Sequence, residues 1–131
     1  RDRLRSRGLG DVYKRQALSA ATGAPVAIHE DDADKLQSSR KSLALMIGRP
    51  LPKAQGSRLL HDGDTLRCGA LSFRVLHTPG HTAGGVSYIT PDAVFTGDTL
   101  MGYSVGRCDL PTGNSAELRE MHEIKKAYLG G

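Results

Sequence analysis

The residues with chemistry to offer sit in three short segments, HTPGH (77–81), FTGDTL (95–100) and GRCDL (106–110). His81 directly follows Gly80, and Asp98 directly follows Gly97. Imidazole and carboxylate are side chains that borderline first-row metals accept together. His77 and His81 are four apart, which on a helix would put both on one face, but Pro79 and Gly80 exclude a helix there. The pair is expected on a tight loop after a strand, with one histidine pointing into a site. Gly80 permits the sharp turn that carries His81 past the sheet edge, and Gly97 does the same for Asp98 after the apolar AVF. Loops at one end of a sheet are where sites are usually built. Each residue alone is weak, because a loop histidine is seldom a ligand and Gly-Asp after a strand is usually a turn. Their order in one chain gives them weight.

The elements that must position these residues can be read on either side. In ALSAATGAPVAIHEDDADKL (17–36), Thr22-Gly23 closes a helix and Pro25 opens an extended piece through Val26 and Ile28. Glu30, Asp31 and Asp32 then stand where the positive end of a helix dipole favours them. Three adjacent acids also suit a cation, but the spacing of a calcium loop is absent, so a solvated helix start is expected. Residues 37–60 read as a loop or insertion, broken at Pro50 and Pro52, with Leu43, Leu45, Met46 and Ile47 as one inward-packing turn. Turns at Asp62-Gly63 and Gly69 frame strands in which Leu71, Phe73 and Val75 alternate with Ser72 and Arg74. VSYI (86–89) and AVF (93–95) are two more strands around a Thr90-Pro91-Asp92 turn. The tail from Asn114 is expected to be one helix, capped by Asn114 with Glu117 three residues on. Its stripe is Leu118, Met121, Ile124 and Tyr128, with Lys125 and Lys126 near its negative end. The order helix, strand, helix, loop, several strands, helix gives an α/β (α+β) layered domain. No dinucleotide-binding glycine fingerprint and no internal repeat are present.

Composition narrows the function classes. A chain of 131 residues holds one domain, and 38% hydrophobic with 24% charged residues is the balance of a globular protein. No apolar run reaches the roughly 20 residues that span a bilayer, and no secretory signal is visible, which leaves the cytoplasm as the expected location. The net charge of +4 lies entirely in residues 1–16, which carry six Lys/Arg against two Asp. A basic arm of this kind could engage phosphates. It reads instead as a non-native tail, with Ala17 the first authentic residue, so no nucleic-acid partner is expected. Cys68 and Cys108 are too few for a disulfide framework and are read as reduced structural thiols.

Taken jointly, TPGHTAG (78–84), FTGDTL (95–100) and GRCDLPTGN (106–114) resemble the metallo-β-lactamase-fold hydrolases, in the branch that includes glyoxalase II. The likeness covers about residues 17–131 and includes TGAPVAIHEDDA (22–33). It implies part of an αββα sandwich with a metal site at one edge, commonly two zinc ions, with iron or manganese as alternatives. His81 then matches the histidine on the first metal and Asp98 the carboxylate that bridges both. Arg107 and Asp109 match the family's GR-x-D element, whose expected role is structural support of the ligands. The implied activity is hydrolysis of a thioester or similar small ester-like substrate, such as a hydroxyacyl-glutathione, by a metal-held hydroxide.

Two departures shape the expectation for this chain. The family's His-x-His-x-Asp-His motif belongs just before Ala17, and the family's late histidine belongs after Gly131. The chain therefore reads as an internal fragment holding only His81 and Asp98 of the ligand set, binding metal weakly and turning over little. A rival reading comes from the persulfide dioxygenases, which carry the same motifs. There His81 and Asp98 would be two ligands of a single iron held by two histidines and one carboxylate.

Overall fold

A computed structural model describes residues 15, 17–37, 58–101, 104–110, 112–121, 124 and 126. The expectations for residues 1–14, for the 38–57 loop with Pro50 and Pro52, and for Lys125 and Tyr128 lie outside the described residues. The chain forms two units, Arg1–Ile28 with Ala33–Leu59, and His29–Asp32 with Leu60–Gly131.

In the first unit residues 17–22 are helical (α1). The Gly23 N–H, at φ 69°, closes the helix on the Ser19 carbonyl at 2.8 Å, as the Thr22-Gly23 pair predicts. Strand β1 (Ala27–His29) pairs with β2 (Arg58–Leu60), and the Arg58 N–H donates to the Val26 carbonyl at 2.8 Å. A short helix, α2, spans Ala33–Gln37.

The second unit is built on an antiparallel meander, β3 (Thr65–Cys68), β4 (Leu71–His77), β5 (Val86–Ile89) and β6 (Val94–Phe95), in that spatial order. Pairing Cys68 with Leu71 leaves a two-residue turn at Gly69-Ala70, where Gly69 takes φ 60°. The alternation read from the sequence holds at Phe73 and Val75, set against exposed Ser72 and Arg74, but not at Leu71, which is exposed; Val75 faces Tyr88, and Tyr88 faces Phe95. Val75 is fully buried, and Phe73 meets the rings of Tyr88 and Phe95 with centroids 6.5 and 6.1 Å apart. A hairpin follows, β7 (Leu100–Met101) with β8 (Ser104–Val105).

Helix α3 (Ser115–Arg119) begins at Asn114, whose side chain accepts from the Ala116 and Glu117 N–H groups. It stops sooner than its apolar stripe implies. The Glu120 N–H is shared between the Ala116 and Glu117 carbonyls at 3.2 Å each, the tightening that closes a helix, and Met121 is not helical. Leu118 and Ile124 are nevertheless both fully buried, so that part of the stripe packs inward as expected.

Candidate metal centre

The β4–β5 connection, residues 78–85, carries His81. Its base is closed where the Thr78 N–H donates to the Gly85 carbonyl at 2.7 Å. The Thr78 hydroxyl is buried and lies 3.1 Å from that of Ser87 and 3.2 Å from that of Thr99. This hydroxyl cluster links the His81 loop to the 96–99 turn that carries Asp98. In that turn Gly97 takes φ 54° and the Thr99 N–H donates to the Thr96 carbonyl at 3.1 Å, as a tight turn requires. Burying three hydroxyls is tolerable only because they satisfy one another.

The two loops bring His81 Nε2 to 3.5 Å from Asp98 Oδ2. The other ring nitrogen, Nδ1, lies 2.8 Å from the Arg107 carbonyl, to which it donates. That hydrogen bond places a proton on Nδ1 and turns Nε2 toward the carboxylate, an orientation also used by metal-binding histidines. A separation of 3.5 Å is one that two donors to a single first-row cation could have. His81 is mostly shielded, whereas the Asp98 side chain is 58% exposed and open to further groups. Both donor types are ones that first-row cations accept.

The Arg107 and Asp109 side chains engage each other, and His81 also acts on the Asp109 charge. They form a two-pronged ion pair with each other, at 2.7 Å on both prongs, and both are exposed. Their mutual hydrogen bonding raises the Arg107 pKa and lowers that of Asp109. The contribution of Arg107 to His81 comes from its main chain. Gly106 lies just before it, and a Cβ there would collide with the Asp98 carbonyl, so the two segments touch backbone to backbone.

His77 points elsewhere. Its Nε2 donates to the Ala83 carbonyl at 2.8 Å and lies 3.8 Å from Asp31 Oδ2. Its ring stacks on that of His29, with centroids 4.0 Å apart and planes 8° from parallel. His29, Asp31 and His77 place one ligand atom each within 4.8 Å of one another, and are the one such group of three among the described residues. Their chemistry would suit an ion, but their presentation does not. Parallel stacked rings send their lone pairs side by side rather than to a common point, and Nε2 of His77 is spent on a carbonyl. Burial lowers the His29 pKa, His77 adds to this, and Asp31 and Glu30 oppose it.

Asp32 was not singled out from the sequence, and no local signal marks it. The acids do stand at a helical start, with Glu30 and Asp31 exposed as expected, but Asp32 is not solvated. The chain makes a 3₁₀ turn at Glu30–Asp32, and Asp32 is buried, accepting from the Thr82 hydroxyl at 2.5 Å and the Gly84 N–H at 3.0 Å.

The chain is similar to known proteins along most of its length. The profile described as "Metallo-beta-lactamase superfamily" matches residues 16–128. The hydroxyacylglutathione hydrolase of Brucella ovis is 52% identical over 52 residues, which are 38% of this chain and 20% of that protein. The crystal structure of BLEG-1 B3 metallo-beta-lactamase is similar at 30% identity and a TM-score of 0.72, covering 88% of this chain and 56% of that one. The crystal structure of TTHA1623 in a di-iron-bound form is similar at 35% identity and a TM-score of 0.64, covering 79% and 51%. The chain spans 26% and 54% of the length of the first curated relatives it matches.

Proposed function

Since the chain belongs to the metallo-beta-lactamase superfamily, we propose that it serves a metal-dependent hydrolase of a thioester or similar small ester-like substrate. His81 and Asp98 are two of the metal ligands on this reading. The observation that carries it is the orientation of His81, whose Nδ1 donates to the Arg107 carbonyl while Nε2 stands 3.5 Å from Asp98 Oδ2. The likeness to a hydroxyacylglutathione hydrolase supports the thioester class. Zinc is the expected metal, and the likeness to a protein solved in a di-iron form makes iron the one to test beside it.

A bound metal would supply Lewis acidity, lowering the pKa of water and polarising a carbonyl oxygen. The chain's own contribution is placement. The Arg107 carbonyl orients His81, the Thr78 hydroxyl cluster holds the two ligand loops together, and the Arg107–Asp109 pair braces the segment supplying that carbonyl. No helix among the described residues is long and apolar enough to cross a membrane.

The test is hydrolysis of a hydroxyacyl-glutathione thioester by the protein loaded with zinc or iron. Chelation, His81→Ala and Asp98→Asn should each abolish metal-dependent turnover. Turnover that survives both substitutions would refute the assignment.

A further inference from the structure

We infer that Asp32 is a positioning residue for His81, acting by anchoring the far limb of the loop that carries it. The inference rests on reading His81 as a metal ligand. The near limb is already held: the Asn114 N–H donates to the Gly80 carbonyl at 2.7 Å, and a Cβ on Gly80 would lie 2.5 Å from that of Leu118. The far limb returns through Thr82, Ala83 and Gly84, and Asp32 takes two of these three residues at once, one by its hydroxyl and one by its N–H.

Burial makes this anchor strong. Asp32 is only 8% exposed, and a carboxylate so placed is tolerated when charge-assisted hydrogen bonds satisfy it. The main chain also lies directly on it. A Cβ at Gly84 would come 2.6 Å from Asp32 Cγ and 2.7 Å from the Asp32 nitrogen, so the contact admits glycine and nothing larger. His81 thus lies between two fixed limbs, with its ring aligned by the Arg107 carbonyl. Without Asp32 the near limb stays and the far limb swings, which turns the imidazole away from that carbonyl.

Asp32→Asn keeps an oxygen for the Gly84 N–H and offers an amide to the Thr82 oxygen; Asp32→Ala keeps neither. The measurement is made on the metal-free protein, so it does not depend on turnover. Long-range ¹H–¹⁵N spectra read the tautomer of the His81 ring, and hydrogen exchange reads the Gly84 and Gly85 amides. With Asp32→Ala we expect the ring to become a mixture of tautomers and those amides to exchange at least about tenfold faster. The amides of the β4–β5 ladder should hold their rates, and Asp32→Asn should restore most of the wild-type ring pattern. If Asp32→Ala does not fold, Thr82→Val is read the same way, with a smaller change of the same kind. An unchanged His81 ring in a folded Asp32→Ala or Thr82→Val variant would overturn the inference. Cobalt(II) that leaves the wild-type His81 signals unmoved would instead defeat the ligand reading, which separates the two failures.

Discussion

Gly80→Ala should damage the protein in a way that a change at another positive-φ glycine does not. Gly80 has φ 135°, where residues with a side chain are rarely found, and the methyl group would meet Leu118 Cβ at 2.5 Å and the Leu118 Cα and nitrogen at 2.9 Å. Backbone strain of this kind costs about 1–3 kcal/mol. Forcing a methyl into a packed contact costs about 1–3 kcal/mol more. The sum is about 2–6 kcal/mol. Gly63 is the control, with φ 82° and nothing within 4 Å of its would-be Cβ. Gly63→Ala should therefore cost only the conformational part, about 1–2 kcal/mol. Urea denaturation followed by far-ultraviolet circular dichroism measures both. Because the collision is with Leu118 Cβ and main chain, trimming Leu118 to alanine should not rescue Gly80→Ala. Equal losses at Gly63 and Gly80, or rescue by Leu118→Ala, would refute the claim that close approach to α3 is what Gly80 serves.

Two further outcomes follow from buried polar groups. Thr78→Val leaves the Ser87 and Thr99 hydroxyls without their shared partner and should cost about 1–3 kcal/mol, measured by the same denaturation. His29 has a pKa lowered below its ordinary 6.5, so the unfolded chain binds its proton more readily than the folded one. Its contribution to stability is complete above about pH 6.5 and falls as the pH drops from there toward the lowered value. Urea midpoints should decline over that window in the wild type, and His29→Gln should flatten the decline. A decline of equal slope in His29→Gln would place the sensitivity elsewhere.

Much of the site was legible because its signals are local. The alternation in 71–75, the glycines before His81 and Asp98, and the Asn114 cap each state their geometry within a few residues. The division of labour between His77 and His81 was half legible: Pro79 and Gly80 rule out a shared helix face, but not which ring turns toward Asp98. Long-range pairing was not legible. Glu30, Asp31 and Asp32 look alike in sequence, and only the fold buries Asp32 under a loop 50 residues away. The cap at Asn114 likewise hides its second use. A capping box predicts its N–H bound by Glu117, whereas the structure gives that N–H to the Gly80 carbonyl. The break at Glu120 and Met121 was missed because the apolar stripe runs through it from Leu118 to Ile124, where the backbone is helical again.

The most direct test of the account is to locate zinc by anomalous scattering in crystals soaked at about millimolar concentration, where even a site of low affinity, with a Kd near 1 mM, fills appreciably. We predict one ion bonded at about 2.0–2.2 Å to both His81 Nε2 and Asp98 Oδ2. An ion held instead by His29, Asp31 and His77, or one touching His81 without Asp98, would contradict it.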